Sequence, residues 1–269
     1  SSATSAENVA VGYRAGAATS SSGANTYIGY QAGLSNTTGQ NTAIGNNALA
    51  ANQTGTGNTA IGLKAMDANV DGDNNVAIGD SALTNMDPSG NVDMYNVAVG
   101  FQASLGCTTG VKNVSVGGDA LFSDDTGSSS VAIGYKSLYA QNPSSTTDMH
   151  NVAIGEQSAI ALTTGNRNTI IGQGTAGTLT TGESNVIIGR SANVAAADND
   201  FSIVIGAGAI GIGPNTTLIG TTSTVRAEIK GLRTKVTATT SDTVLTANDS
   251  GETFVFNDAA ATFTLPDSG

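Results

Sequence analysis

The chain has 269 residues, of which 35 are Gly, none is Trp and only 12% are charged. This composition differs from that of an average globular domain and favours a repetitive structure built from small residues. The net charge is −11, with only 10 Lys and Arg, which argues against nucleic acid as a partner because phosphate binding depends on basic residues. No apolar run approaches the roughly 20 residues of a membrane-spanning helix. The single cysteine, Cys107, forms no intrachain disulfide and is expected to be a small buried residue.

A five-residue pattern recurs along most of the chain: Asn or Ser, Val or Thr, a mostly small residue, Ile or Val, then Gly. Residues 151–155, Asn-Val-Ala-Ile-Gly, are typical. The copies end at Gly12, Gly29, Gly45, Gly62, Gly79, Gly100, Gly117, Gly134, Gly155, Gly172, Gly189, Gly206 and, in degenerate form, Gly220. These glycines are almost evenly spaced, apart from two longer spacings, which end at Gly100 and Gly155, and a shorter last one. Residues 1–220 are therefore predicted to be one all-β solenoid of about 13 coils.

Each copy begins with two β-branched residues at period two, such as Val152 and Ile154, which predicts a short strand. We expect this pair to face the inside of the coil, and a second short strand to follow the corner Gly. The residue between the pair carries no charge in any of twelve copies, so we expect it to face an identical chain. The positions predicted to face the partners in a homotrimer are Ala43, Ala60, Ala77, Ala98, Ala132, Ala153, Ile170, Ile187 and Val204.

The Asn that opens most copies predicts a ladder of stacked amides, which hydrogen-bond one another and the turn backbone. The two long spacings contain matching loops, with Pro, Asp and Met at the same positions in each. Insertions of this kind often form a binding face, although exposed loops also tolerate insertions without binding anything. The candidate receptor-contact residues are Asp87, Pro88, Asp93 and Tyr95 in the first loop, and Asn142, Pro143, Asp148 and His150 in the second.

The sequence contains no convincing catalytic, metal or cofactor site. Residues 206–211 match GxGxxG, but no helix pattern follows them. The only histidine, His150, lies in a loop, and no His and Cys cluster or paired carboxylates in a groove can be identified. We therefore predict that the chain is not an enzyme and needs no cofactor. Residues 221–269 contain a different pattern and are expected to form a neck or cap with a small β unit. The chain starts without Met, and we expect it to be part of a longer protein.

The repeats resemble two related families. Residues 25–49 include Asn-Thr-Tyr-Ile-Gly-Tyr-Gln-Ala, then Asn-Thr-Thr-Gly-Gln, then Asn-Thr-Ala-Ile-Gly-Asn-Asn-Ala-Leu, and these segments are similar to bacteriophage tail fibres. The shorter Ser-Val-Ala-Ile-Gly repeats of trimeric autotransporter adhesin heads are also similar. The resemblance implies a left-handed parallel β-roll, side by side or intertwined with two identical chains. It further implies a spacer or receptor-binding role in an extracellular virion tail fibre, with a host-surface glycan or protein and other tail proteins as partners. The alternative is a segment of an adhesin on a bacterial cell surface.

Overall fold

The computed structural model describes residues 7–19 and 23–221, and these form a parallel β-solenoid of about 12 turns. Thirteen short strands, one from each coil, stack in sequence order into a single parallel sheet. No helix occurs within the described ranges. The neck or cap predicted for residues 221–269 lies outside them, apart from Thr221. The repeat period alone was thus sufficient to predict a solenoid.

Every strand of the main sheet pairs in register with the equivalent strand of the next coil, so that Ala43 lies beside Ala60 and Ala60 beside Ala77. The main sheet contains β1 (Val9–Val11), β2 (Thr26–Ile28), β3 (Thr42–Ile44), β4 (Thr59–Ile61), β6 (Val76–Ile78), β8 (Val97–Val99), β9 (Val114–Val116), β11 (Val131–Ile133), β13 (Val152–Ile154), β14 (Thr169–Ile171), β15 (Val186–Ile188), β16 (Ile203–Ile205) and β17 (Thr217–Ile219). Two additional parallel pairs join β5 (Gly72–Asp73) to β7 (Val92–Asp93) and β10 (Gly127–Ser128) to β12 (Thr147–Asp148).

The prediction of which strand face is inside was wrong. In every strand of the main sheet except β1 and β17, the central residue is buried within the single chain, and the β-branched residues on either side of it are at the surface. Ala153 is fully buried, for example, while Val152 and Ile154 are partly exposed. The same holds for the other positions predicted to face a partner, all of which have no exposed surface: Ala43, Ala60, Ala77, Ala98, Ala132, Ile170, Ile187 and Val204.

The reason for this reversal is the width of the coil. So short a coil encloses a narrow interior, which holds small side chains more readily than pairs of β-branched ones. Ala predominates at the central position, and the third residue after the corner glycine, such as Ala65 or Ala82, is also fully buried. Small size at the central position therefore indicated tight packing inside one coil and not contact with a second chain.

The corner glycines form a column that no other residue can occupy. From Gly12 to Gly206 their φ angles lie between +127° and +142°, a region that is accessible almost only to glycine. A Cβ on Gly155 would lie 2.5 Å from the carbonyl oxygen of Gly172 in the next coil. The Gly of the repeat is thus required both by its dihedral angles and by the close approach of successive backbones.

The segment after the corner is not the second strand that we predicted. Every second residue in it has a positive φ, as at Lys64 (φ 54°) and Met66 (φ 49°), while Ala65 between them does not. The Lys64 amide donates to Asn46 in the preceding coil, whereas the Met66 amide donates to Ala82 in the following coil. Among the described residues, no non-glycine residue with positive φ is β-branched, because such side chains are strained in that conformation. The coils are therefore joined by alternating backbone hydrogen bonds on this side.

The predicted asparagine ladder is confirmed. Asn58 receives at its Oδ1 the backbone N–H of Asn75, at 3.0 Å, while its own N–H donates to Oδ1 of Asn41, at 2.9 Å. Its Nδ2 donates to the carbonyl oxygen of Gly72 at 2.7 Å. These amides are buried, so each of them satisfies backbone groups that water cannot reach. The Asn of the repeat is consequently part of the hydrogen-bonded frame.

Candidate attachment surfaces

The two loops created by the long spacings are built alike. In the first, Pro88 and Met94 are buried and anchor the ends, while the residues between them are exposed. Val92 and Asp93 pair with Gly72 and Asp73 of the preceding coil, and Asn74 Nδ2 donates to Asp93 Oδ1 at 2.5 Å. The loop is thus fixed to the coil before it by both backbone and side-chain hydrogen bonds.

The second loop repeats this arrangement three coils further along. Pro143 and Met149 are buried, and Thr147 and Asp148 pair with Gly127 and Ser128. Ser129 Oγ donates to Asp148 Oδ1 at 3.2 Å, which is the counterpart of the Asn74 contact in the first loop. The sequence similarity of the two insertions therefore reflects one loop structure used twice.

Six of the eight predicted receptor-contact residues are accessible: Asp87, Asp93, Tyr95, Asn142, Asp148 and His150. Pro88 and Pro143 are buried, so these two anchor their loops and cannot contact a receptor directly. Tyr95 and His150 occupy equivalent positions and both have positive φ angles, of 54° and 52°. The neighbouring Asp93 raises the pKa of Tyr95 through a hydrogen bond and its charge.

On the outer face of the main sheet, one column of side chains that was predicted to lie inside the coil is apolar along the whole length of the sheet. The position before the corner glycine is Val or Ile in all thirteen strands, and none of these residues is buried in the single chain. Ile28, Ile78 and Ile133 are 39%, 37% and 37% exposed. With twelve strand intervals of about 4.8 Å, this face extends over about 58 Å. We call the thirteen Val and Ile positions before the corner glycines, from Val11 to Ile219, the apolar sheet face.

The side of the coil beyond the corner carries a second set of exposed residues that the sequence analysis missed. The first residue after the corner is aromatic in four coils, at Tyr13, Tyr30, Phe101 and Tyr135, and all four side chains are exposed. Tyr13 and Tyr30 belong to adjacent coils and stack, with ring centroids 5.4 Å apart. Aligning the copies on their glycines would have placed these aromatics in one column. The predicted strand pattern concerns the residues before the corner glycine, so it gave no signal for the residue after it.

One column inside the coil carries ionisable groups. Asp124 is 3% exposed, and it accepts the Gly127 N–H at 2.8 Å and the Gln141 Nε2–H at 2.6 Å. Burial raises its pKa to about 6, against the opposing effect of these hydrogen bonds. Cys107, one coil earlier, is buried as expected, and burial together with the charge of Asp124 raises its thiol pKa to about 12. Such a thiol is unreactive at neutral pH.

Residues 7–19 and 23–221 contain no group of three or more His, Cys, Asp or Glu residues arranged to hold a metal ion. Nor do they contain a helix long and apolar enough to cross a membrane. The surfaces with a recognisable architecture are therefore the two loops, the apolar sheet face and the aromatic column. No protein-family model matches the chain, and no curated protein matches it significantly.

Proposed function

We propose that this chain is the rod-like, host-attachment segment of a bacteriophage tail fibre, assembled as a homotrimer and without catalytic activity. The alternative is the head segment of a trimeric adhesin on a bacterial surface. The trimeric state and the two candidate origins come from the resemblance of the repeats. The observation that carries the proposal is the apolar sheet face, because a rod of this kind is incomplete as a single chain.

An exposed apolar face about 58 Å long is unfavourable in water, since monomeric proteins rarely leave such a continuous patch uncovered. A sheet face that meets solvent usually carries polar residues, whereas here the outward position before the corner glycine is Val or Ile in all thirteen strands. Two further copies, aligned coil by coil along the solenoid axis, would cover the face in every coil, because each coil carries Val or Ile at this position. Side-by-side association along the axis therefore matches the periodicity better than contact with an unrelated protein.

The oligomer proposal is tested by charging the face. Ile133→Asp combined with Ile171→Asp places carboxylates in two coils at positions that are already partly exposed in the single chain, so the coil itself should still form. We expect sedimentation equilibrium to give a trimer for the unmodified protein and a monomer for the variant, with partial loss of thermal stability. A matched control, Gln173→Asp, adds a charge close by but off the face, and should remain trimeric. A folded, monomeric unmodified protein at micromolar concentration would refute the proposal.

The attachment role is tested by shortening the loops. Deleting Ser89–Val92 and Ser144–Thr147 restores both spacings to the length found in most other coils and leaves the buried Pro and Met anchors in place. We expect particles or cells that carry the deleted protein to adsorb to the host less well, while the trimer persists. Unchanged adsorption would assign the loops no role in binding. A gene located beside tail baseplate genes would support the phage origin, and one encoding a membrane anchor would support the adhesin.

A further inference from the structure

Aromatic side chains gather beyond the corner in three successive coils. Phe101 and Tyr135 are the first residues after their corner glycines, two coils apart, and they are 54% and 46% exposed. Gly118 occupies the same position in the coil between them. Phe122 and Tyr139, further along two adjacent coils, stack with ring centroids 5.1 Å apart and an interplanar angle of 11°. The aromatic patch, which we define as these four rings together with Lys136, is the densest group of accessible aromatic residues beyond the corner in the described part of the chain.

Lys136 lies close to two of these rings. Its Nζ lies 5.2 Å from the ring centroid of Tyr135 and 5.3 Å from that of Tyr139, both within the range of cation–π attraction. Its pKa is raised by a hydrogen bond to Tyr135 and by the charges of Tyr135, Asp119 and Tyr139, although desolvation opposes this. The patch therefore combines accessible rings with an ammonium donor, and the Asp119 carboxylate is near enough for its charge to act on that ammonium.

Gly118 leaves a gap in the aromatic column. An ideal Cβ at Gly118 would lie 3.4 Å from Cδ2 of Tyr135 and 3.9 Å from the backbone oxygen of Phe101, so the Tyr135 ring borders the gap on one side and the Phe101 backbone on the other. Two coils correspond to about 9.6 Å along the axis. Other coils have a full side chain at this position, such as Asn46, Asp80 or Glu156. The absence of a side chain is thus confined to the coil between the two exposed rings.

We propose that the aromatic patch is a binding site for a neutral, pyranose-containing glycan. The C–H groups on the apolar face of a pyranose ring would stack on Tyr135 and Phe101, because aromatic faces carry negative charge density. Sugar hydroxyls would accept from the Lys136 ammonium and donate to the Asp119 carboxylate. This inference rests on the proposed attachment function and assigns part of that function to a surface separate from the two loops.

The size and charge of the patch favour a glycan over other ligands. Phe and Tyr bury about 150–250 Å² each when they are fully covered, so four rings that are about half exposed or less offer at most about 500 Å². A stable protein–protein interface needs about 800 Å² from each partner. The chain has a net charge of −11, which repels anionic polysaccharides. A neutral sugar polymer lying along the rod satisfies both restrictions.

The experiment uses the full chain and an array of neutral hexose and N-acetylhexosamine oligosaccharides, followed by calorimetric titration of the best binder. We expect binding that Tyr135→Ala weakens by about tenfold or more. Gly118→Asn should weaken it similarly, because it fills the gap with a side chain that Asn46 shows to be tolerated at this position. Leu63→Ala is the matched control, since Leu63 is an exposed apolar residue at the same position in a distant coil and its loss should leave binding unchanged.

Three outcomes overturn the inference: no binding on the array, equal loss in the Leu63 control, or conversion of the trimer into monomer by Tyr135→Ala. The last would make the patch part of the subunit interface. Host adsorption, measured in parallel, separates this inference from the proposed function. If the loop-deleted protein loses adsorption and the patch binds no glycan, the proposed attachment function stands and only the glycan site is refuted.

Discussion

The coils around β3 and β4 and those around β14 and β15 have the same backbone but fill it differently. In the first region the strand centre is Ala, as at Ala60, and the fourth residue after the corner is large, as at Met66. In the second the strand centre is Ile170 and the fourth residue after the corner is Ala176. All of these side chains are fully buried. The coils of β4 and β14 thus hold a similar side-chain volume, divided differently between two sides, whereas in the coil of β13 both positions are Ala, at Ala153 and Ala159.

The coil at β2 is the extreme case. Tyr27 occupies the strand centre, and Gly33 stands four residues after the corner. A Cβ on Gly33 would overlap the Tyr27 ring, and one on Gly16, at the same position in the preceding coil, would lie 2.6 Å from it. The Tyr27 hydroxyl accepts a hydrogen bond from Asn36 Nδ2 in the same coil. The interior therefore adapts to a large residue at one position by losing side chains at the opposite one, while the glycine and asparagine frame is unchanged.

The largest expected effect comes from breaking the frame that both regions share. Gly155→Ala places a Cβ 2.5 Å from a backbone carbonyl oxygen, at a φ of +132°, and neither can be relieved by a side-chain movement. We expect a loss of more than about 3 kcal/mol in the free energy of unfolding, measured by chemical denaturation.

The matched control for this prediction is Gly174→Ala, two residues beyond the next corner. Gly174 also has a positive φ, of +61°, but the nearest atom to its Cβ would be the Ser191 hydroxyl at 3.8 Å. It should lose only about 1 kcal/mol, the usual cost of a left-handed Ala. Equal losses in the two variants would show that neither the φ of the corner nor the backbone approach excludes side chains there.

The comparison also explains what could be predicted from the sequence. The solenoid, the strand positions, the corner glycines and the asparagine ladder follow from a pattern that recurs in every coil. The sequence predicts the wrong inner face of the strand because Val152 and Ile154 are more hydrophobic than Ala153, and the more hydrophobic residues are normally expected in the core. In a narrow coil, size limits the interior more than hydrophobicity does, and an outward Val or Ile is expected where a second chain covers it. The aromatic patch depends on residues in only three coils, so periodicity carried no signal for it.

A smaller effect is expected from moving volume between the two sides of one coil. Ala60→Ile adds three carbon atoms opposite the large Met66 and should cost about 1–3 kcal/mol through overpacking. The double variant, Ala60→Ile with Met66→Ala, copies the arrangement of Ile170 and Ala176 and should recover most of that loss. A double-mutant cycle by chemical denaturation gives the coupling energy. If the losses of Ala60→Ile and Met66→Ala simply add, the two positions do not share one interior volume.

The smallest effect concerns a third interior column, where Asn52 and Asn69 in one region are replaced by Asp124 and Gln141 further along. Asn69 Oδ1 accepts the Gly72 N–H at 2.9 Å, and Asn69 Nδ2 donates to the Gly72 carbonyl oxygen at 3.0 Å. Asp124 Oδ1 accepts the Gly127 N–H in the same way. An amide therefore fits this position without a charge. The pKa of Asp124 is raised to about 6 from its ordinary value of 3.8.

Because the folded-state pKa is the higher one, Asp124 contributes stability that is fully present below about pH 4 and is lost as the pH rises through about 6. Asp124→Asn should remove this dependence and stabilise the protein by about 1–2 kcal/mol at pH 7.5, with little change at pH 4. Denaturation midpoints at the two pH values measure both quantities. Asp125→Asn, at the adjacent and partly exposed carboxylate, is the control and should leave the pH dependence in place. If Asp124→Asn instead destabilises the protein at neutral pH, the carboxylate is needed by Gln141 and Gly127, and the equivalence of the two columns fails.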